Sequence, residues 1–281
     1  MDAATRQPAG DLLSAAEPRA CEALNPDGAR AIVLSCDHSS NRLPRSLNGL
    51  GLAAGRLHEH IAWDIGAGPV TRLLSERLAA CAVLGNYSRL VVDLNRDLDD
   101  PTAFPAISDG VLVPGNLGLD IRQKAERATA LHAPYHETLR RMIDARSGGG
   151  SVPALVSIHS FTPRLYGVHR SWHVGLLWDR DSRLALPLLA SLRRHAGIVV
   201  GDNEPYSGRH PADFTIDHHA EPLGLAHVGI EIRQDLIADD NGQRAWAARI
   251  AEALQTALAD PALFRRFERS DAPPCAASER R

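Results

Sequence analysis

Short apolar runs alternate with amphipathic segments along most of the chain. Runs typical of β-strands occupy residues 31–36, 81–86, 88–96, 154–159, 173–179, 197–202 and 227–233. Apolar residues at helical spacing predict helices over residues 58–80, 120–147, 182–195, 212–220 and 241–258. Strands separated by helices require crossover connections. The pattern therefore predicts an α/β fold with a mostly parallel mixed sheet and helices on both of its faces.

The chain is predicted to form a single domain. Its 281 residues can bury a large core, and neither an internal repeat nor a long linker divides the sequence. Residues 1–27 are mixed and interrupted by prolines, which predicts an N-terminal arm, and residues 261–281 form a predicted C-terminal tail. The domain itself is predicted to span residues 28–260, with a bend at Pro134 in its longest helix.

Charge and composition argue against nucleic-acid and membrane partners and indicate the compartment of the protein. A net charge of −3 and a pI near 6.5 argue against nucleic-acid binding, which usually needs a basic face. No apolar run reaches the ~18–20 residues of a membrane helix, so no membrane association is expected. The four cysteines lack metal-type spacing, which favours reduced thiols and a cytoplasmic protein. The oligomeric state stays open.

Polar side chains follow or interrupt three of the apolar runs. His38 lies two residues after the run "AIVLSC", His159 ends the run "ALVSIH", and Glu231 lies inside "HVGIEIR". Ligands of α/β sheets bind beyond the carboxyl ends of the strands, so these three residues are expected to converge. Each histidine taken alone also fits a hydrogen-bonded structural role.

The two histidines suggest a metal site. A catalytic zinc typically takes two histidines, one carboxylate and a water molecule, which predicts Zn²⁺ held by His38 and His159. Asp64, in "HIAWDIG", is the preferred third ligand, and Asp37 and Asn41 remain alternatives. The i, i+4 pair of His60 and Asp64 is predicted to share a helix face as an ordinary surface contact.

Glu231 is the candidate general base. Strand alternation places Glu231 and Arg233 on one face and the neighbouring isoleucines on the other. A glutamate inside such a strand is seldom tolerated unless it is paired or functional. It therefore either deprotonates a water molecule during hydrolysis or forms a buried ion pair with Arg233.

Arginine residues suggest that the substrate carries a carboxylate. Arg96 follows an apolar run, and its planar guanidinium suits bidentate binding of a small carboxylate-bearing substrate. Arg89 is an alternative, although it begins the same predicted strand and so lies at the far end from the expected site. Further candidates for substrate binding are Asn95, Arg233 and His219. The motifs of serine hydrolases and of nucleotide-binding loops are absent from the sequence.

Nine short motifs together resemble the N-formylglutamate amidohydrolase family. In chain order they are "CDHSSNRLP", "LGL", "HIAWDIGA", "YSRLVVDLNR", "VPGN", "YHETL", "SIHSF", "GDNEPYSG" and "GIEIRQDLI", between about residues 30 and 258. The resemblance implies a fold like that of the zinc carboxypeptidases and related phosphorylase/hydrolase-like proteins. It also implies metal roles for His38 and His159, a base role for Glu231 and substrate binding by Arg96.

Two departures from the family pattern affect the details. Asn41 stands where the carboxypeptidase pattern has a glutamate ligand, and Ser40 stands where a glycine commonly follows the His-Ser pair. The expected function is metal-dependent hydrolysis of an N-formyl amino acid, with N-formylglutamate as the first candidate. The alternatives are a deacylase or carboxypeptidase-like hydrolase acting on another acidic N-acyl compound, and a non-catalytic relative that binds carboxylates.

Overall fold

A computed structural model describes residues 12–209 and 213–268. The strands are β1 (Cys21–Leu24), β2 (Ile32–Cys36), β3 (Cys81–Gly85), β4 (Ile107–Ser108), β5 (Val111–Leu112), β6 (Ala154–Phe161), β7 (Arg164–Leu165), β8 (Val168–His169), β9 (Val174–Leu177), β10 (Val200–Asp202) and β11 (His227–Arg233). The α-helices are α1 (Ala67–Leu78), α2 (Ile121–Arg127), α3 (Ala133–Asp144), α4 (Ala185–Leu192), α5 (Phe214–His219) and α6 (Asp240–Ala257). None of the described helices has the length and apolar character needed to cross a membrane.

Seven of these strands form one sheet in the order β1-β3-β2-β6-β11-β9-β10. The four central strands β3, β2, β6 and β11 run parallel to one another. β1 pairs antiparallel with β3, β9 pairs antiparallel with β11, and β10 runs parallel to β9. The prediction of an α/β domain with a mostly parallel mixed sheet is confirmed.

Both faces of the sheet are covered by helices. Leu34 of β2 belongs to a buried cluster with side chains of α1, α4 and α6. Its neighbour Val33 points the other way and belongs to a second cluster that includes Tyr135 and Leu139 of α3. Successive strand residues face opposite sides. A doubly covered strand therefore needs apolar residues at nearly every position, which explains the continuous apolar runs.

The strand predicted over residues 88–96 is wrong. The segment is buried but forms turns instead of a strand, and side chains bond to several of its backbone carbonyl groups. The backbone oxygens of Leu90 and Val91 accept hydrogen bonds from the side chains of Asn116 and Arg127, at 2.8 and 3.0 Å. Two histidines bond to carbonyl groups further along the same segment.

The helix predicted over residues 58–80 is shorter in the structure, because α1 begins only after Gly66. Gly66 has a φ of 82°, and a side chain at this position would clash with the backbone oxygen of Ile237. The preceding residues form turns and a short 3-10 helix. His60 and Asp64 therefore do not share a helix face, which corrects the i, i+4 interpretation.

The long helix predicted over residues 120–147 is interrupted next to Pro134, as expected. α2 and α3 are joined by a π-helical turn, Ala128–His132, that widens the backbone just before the proline. The helix ends before Gly149 and Gly150, whose φ angles are 59° and 85°. The remaining predicted strands and helices are present, with ends that differ by up to a few residues.

Parts of the predicted arm and tail contact the domain. β1 lies within the predicted arm, residues 1–27, and forms an edge of the sheet. In the predicted tail, the backbone oxygen of Phe264 accepts a hydrogen bond from the backbone of Val152 at 2.9 Å. The outer ends of both segments lie outside the described residues. The predicted boundaries at residues 28 and 260 stay predictions.

Candidate active site

A cavity of about 920 Å³ opens at the carboxyl ends of the central strands. Because β2, β6 and β11 are parallel, the residues that end these strands meet at one edge of the sheet. The predicted site residues that line the cavity are His38, Asp64, Asn95, Arg96, His159 and Glu231. Arg233 and His219 are not among the described residues that line it.

Two histidines and one carboxylate converge on the cavity floor. His38 follows β2, His159 lies on β6, and Asp64 lies in the turn before α1. One ligand atom from each residue lies within 4.8 Å of the other two. Asp64 Oδ2 is 3.0 Å from His159 Nδ1 and 3.5 Å from His38 Nδ1. Ligand atoms arranged tetrahedrally around zinc are separated by roughly 3.3 Å, so this donor set fits a zinc ion.

The opposite ring nitrogen of each histidine is held by other side chains. His38 Nε2 lies 2.6 Å from Asp93 Oδ1, while His38 Nδ1 is buried with no hydrogen-bond partner among the described residues. His159 Nε2 lies 2.8 Å from Ser157 Oγ and 3.4 Å from Asp37 Oδ2. Metal-binding histidines typically bond in this way through their second nitrogen. Both Nδ1 atoms are thereby directed toward Asp64.

Asp64 is kept ionised although it is buried. Burial raises the pKa of its carboxyl group, but the charges of Arg89 and His38 lower the pKa well below its usual range. The Arg89 guanidinium donates to Oδ1, and the backbone N–H of Ser160 donates to Oδ2 at 3.2 Å. Asp64 therefore presents one anionic oxygen, Oδ2, to the two histidines.

The alternative ligands Asp37 and Asn41 have other partners. Asp37 Oδ1 accepts hydrogen bonds from the hydroxyl groups of Tyr135 and Thr215. Asp37 Oδ2 lies 3.4 Å from His159 Nε2, the ring nitrogen that points away from Asp64. The Asn41 side chain donates to a backbone carbonyl group at 2.8 Å. This geometry favours Asp64 as the third ligand.

Glu231 lies beside the histidine pair on the neighbouring strand. The register between β11 and β6 pairs it with His159, and only 8% of its surface is exposed. Its Oε2 atom has no hydrogen-bond partner among the described residues. Burial raises the pKa of Glu231 to about 7, which suits a group that accepts and returns a proton near neutral pH.

Arg233 does not form the alternative buried pair with Glu231. Its guanidinium binds the exposed Asp235, with Nε 2.8 Å from Oδ1. Although alternation places both residues on one strand face, Arg233 lies at the very end of β11 and is not among the described residues that line the cavity. The structure therefore does not bring Arg233 to the predicted substrate site.

Asn95 and Arg96 do line the cavity. Asn95 Oδ1 accepts a hydrogen bond from the backbone of Thr215 at 2.9 Å, which leaves its amide nitrogen as the donor for a ligand. Arg96 Nη1 donates to the backbone oxygen of Asn95 at 2.8 Å. His219, by contrast, is buried against His136, and His218 is the histidine of this pair that lines the cavity.

The N-formylglutamate amidohydrolase family model matches residues 30–238. The chain belongs to the N-formylglutamate amidohydrolase family. N-formylglutamate deformylases from Pseudomonas aeruginosa and Pseudomonas putida are each 23% identical, and the matches cover 82% of this chain and 91% and 90% of those proteins. The family predicted from the nine motifs is therefore confirmed.

Solved structures similar to this N-formylglutamate amidohydrolase family member support the same fold. The gene product Atu2144 from Agrobacterium tumefaciens is 39% identical, with a TM-score of 0.84 and coverage of 88% of this chain and 98% of that one. The N-formylglutamate amidohydrolase from Ralstonia eutropha is 19% identical, with a TM-score of 0.66 and coverage of 85% and 97%.

Two residues near the candidate metal ligands of this amidohydrolase family member differ from the sequence-based prediction. The predicted strand over residues 88–96 puts Arg89 at the far end from the site, as an alternative carboxylate binder, whereas in the structure Arg89 donates to Asp64. The sequence pattern assigns no role to Asp93, which bonds to His38. The signal for Asp93 was present, because an acidic residue inside the apolar run "LVVDLNR" resembles Glu231 inside "GIEIR".

At the candidate metal site, we expect Asp93→Asn to weaken the affinity for added zinc by about 10–100-fold, because a neutral amide holds the second nitrogen of His38 less strongly than a carboxylate. Competition with a chromophoric chelator measures this affinity. Asp181→Asn is the matched control, because Asp181 is also buried but pairs with Arg183. Unchanged zinc affinity in Asp93→Asn would show that Asp93 does not support the candidate metal site.

Proposed function

We propose that this protein is a zinc-dependent amidohydrolase that cleaves an N-formyl amino acid, with N-formylglutamate as the first candidate substrate. The observation that carries the proposal is the convergence of His38, Asp64 and His159 beside Glu231, whose Oε2 atom has no hydrogen-bond partner among the described residues. The family and the names of the two Pseudomonas deformylases support the same reaction.

His38, His159 and Asp64 would hold the metal ion. When bound, zinc supplies a Lewis acid that polarises a carbonyl group and lowers the pKa of water towards about 7. Arg89 and Asp93 keep the donor atoms in place, through Asp64 and His38 respectively. These buried partners restrict the rotation of the ligands before any metal or substrate arrives.

Glu231 transfers a proton from the attacking water to the departing amine. The attacking water gives a proton to Glu231 as its oxygen bonds to the formyl carbon. The bond between that carbon and the amide nitrogen then breaks, and Glu231 returns the proton to the departing amine. The products are formate and the free amino acid. A carboxyl group with a pKa of about 7 can perform both transfers near neutral pH.

Formate release from a panel of N-formyl amino acids tests the substrate assignment. We propose that acidic members, N-formyl-L-glutamate first, are cleaved fastest, because Arg96 and Asn95 offer donors to a carboxylate. A panel without formate release under zinc-loaded conditions would contradict the proposal. It would leave the non-catalytic carboxylate-binding relative as the explanation.

The size of the cavity favours a second candidate substrate. About 920 Å³ is near the upper end of the roughly 300–1,000 Å³ typical of sites for drug-sized ligands, whereas N-formylglutamate is a small molecule. A larger acidic N-acyl compound would use more of this space. Including N-acetyl and N-formyl dipeptide substrates in the panel, with amine release as the readout, separates the two candidates.

Arg96→Lys is expected to raise KM for acidic substrates, by the equivalent of about 1–3 kcal/mol, with little change in kcat. Lysine keeps the charge but loses the planar fork that binds a carboxylate through two hydrogen bonds. Steady-state kinetics with N-formyl-L-glutamate measures the effect. Arg233→Lys is the control, because Arg233 binds Asp235 outside the cavity. Similar KM values for wild type and Arg96→Lys would move the carboxylate-binding role to another residue.

We also propose a cytoplasmic location. Cys21, Cys36 and Cys81, the cysteines among the described residues, are free thiols, which is typical of proteins in a reducing compartment. The proposed partner is a small carboxylate-bearing substrate.

A further inference from the structure

The proposed substrate-binding residues lie on a segment without strand partners. Asn95 and Arg96 belong to the buried run 88–96, where several carbonyl groups bond to side chains instead of to a neighbouring strand. The orientation of these two residues therefore depends on particular side-chain donors. Two of those donors are histidines that face the segment from α3 and from the π-helical turn before it.

His132 and His136 hold the backbone on either side of Asn95. His136 Nε2 lies 2.8 Å from the backbone oxygen of Leu94, and His132 Nε2 lies 3.1 Å from that of Arg96. The two rings are 4.3 Å apart and lie one helical turn from each other. Both residues are more than nine-tenths buried. Their rings therefore have little freedom to move away from these carbonyl groups.

The protonation state of these histidines follows from their partners. A carbonyl oxygen only accepts hydrogen bonds, so Nε2 must carry the proton in both rings. His219 Nε2 then donates to His136 Nδ1, at 3.0 Å. Burial lowers the pKa of His132 and His136, and it lowers that of His219 to about 3. All three rings are thus neutral at physiological pH, as this hydrogen-bond chain requires.

We propose that His132 and His136 are positioning residues for substrate recognition, which orient Arg96 and Asn95 by fixing the carbonyl groups of Leu94 and Arg96. This inference rests on the proposed function, because it assigns the two histidines to the carboxylate-binding wall of the same cavity. His219 supports the arrangement by donating to His136. His132 and His136 are not among the described residues that line the cavity, so both would act through the segment that they hold.

The test compares three variants of zinc-loaded protein. His132→Leu removes the donor and is expected to raise KM for N-formyl-L-glutamate by about five- to tenfold. Its kcat and bound zinc should stay near wild type. His132→Gln retains an amide donor at the position of Nε2 and should restore most of the affinity. His227→Gln is the control, because His227 is equally buried and bonds to a backbone oxygen at the far end of β11.

A double-mutant cycle shows whether His132 acts through Arg96. In an Arg96→Ala background, His132→Leu should change KM by less than about twofold, because the side chain that it orients is gone. The affinity for L-glutamate, measured by calorimetry, gives a second readout that does not depend on turnover. It should fall in His132→Leu by the same factor as KM rises.

Each other outcome overturns the inference. A wild-type KM in His132→Leu, or a full effect in the Arg96→Ala background, would show that His132 does not act through Arg96. Loss of zinc in His132→Leu would show that it acts through Asp93 and His38 instead. Wild-type protein that neither hydrolyses N-formyl-L-glutamate nor binds L-glutamate would reject the proposed function as well, and this result is distinguishable from the others.

Discussion

Glu231→Gln is expected to lower kcat by about 10²–10⁴-fold while zinc content stays near the wild-type value. Glutamine has nearly the same shape, but its amide cannot accept a proton from water. Glu231 is not one of the three residues whose atoms converge on the candidate metal position, so its loss leaves the donor set intact. Stopped assays of formate release, together with metal analysis of the same sample, measure both quantities.

The pH profile provides an independent readout for Glu231. The active form of a general base is the ionised carboxylate, so the wild-type rate should rise with pH through the pKa of this group. That acidic limb should be absent from the residual activity of Glu231→Gln. Glu221→Gln is the matched control, since Glu221 is a partly buried glutamate near His227 at the other end of β11. If Glu231→Gln keeps most of its activity, Glu231 has only a structural role. If Glu231→Gln loses zinc, Glu231 is a metal ligand.

His38→Ala and His159→Ala are each expected to lose stoichiometric zinc and, with it, formate release. Two remaining donors bind zinc much more weakly than three, and the deleted ring also removes the partner of Asp93 or of Ser157. Metal analysis after extensive dialysis measures the first effect. Circular dichroism and thermal unfolding establish that the variants stay folded.

A third histidine supplies the control for these two variants. His227→Ala also removes a buried imidazole that bonds to a backbone oxygen, but at the opposite end of the sheet from the cavity. It should keep its zinc. Full zinc retention by folded His38→Ala or folded His159→Ala would exclude that residue as a ligand. Asp64→Ala should weaken zinc as well, and a normal affinity would return Asp37 to consideration.

The central strands could be predicted from the sequence because both faces of the sheet are covered. Residues 31–36, 154–159 and 227–233 are mostly apolar for that reason, and each overlaps a strand. Parallel order then placed His38, His159 and Glu231 at one edge. The convergence of these three residues could be predicted without tertiary contacts, because ligands of α/β sheets bind beyond the carboxyl ends of the strands.

The rest of the site depends on contacts that a local pattern does not contain. The run 88–96 has a strand-like apolar centre, yet side chains of Asn116, Arg127 and two histidines from distant segments bond to its backbone carbonyl groups. The wrong strand prediction over residues 88–96 put Arg89 at the far end from the site, whereas Arg89 contacts Asp64 in the structure. His218 and His219 are adjacent in the sequence, and only helix orientation decides which of them faces the cavity.

Zinc-dependent hydrolysis is tested most sharply by formate release from N-formyl-L-glutamate by protein with known metal content. We expect about one zinc per chain. We also expect activity to disappear when a chelator removes the zinc and to return when zinc is added back. The measurement requires metal analysis and rate determination on the same samples at each stage. Undiminished formate release by protein shown to be free of metal would contradict the proposed zinc dependence.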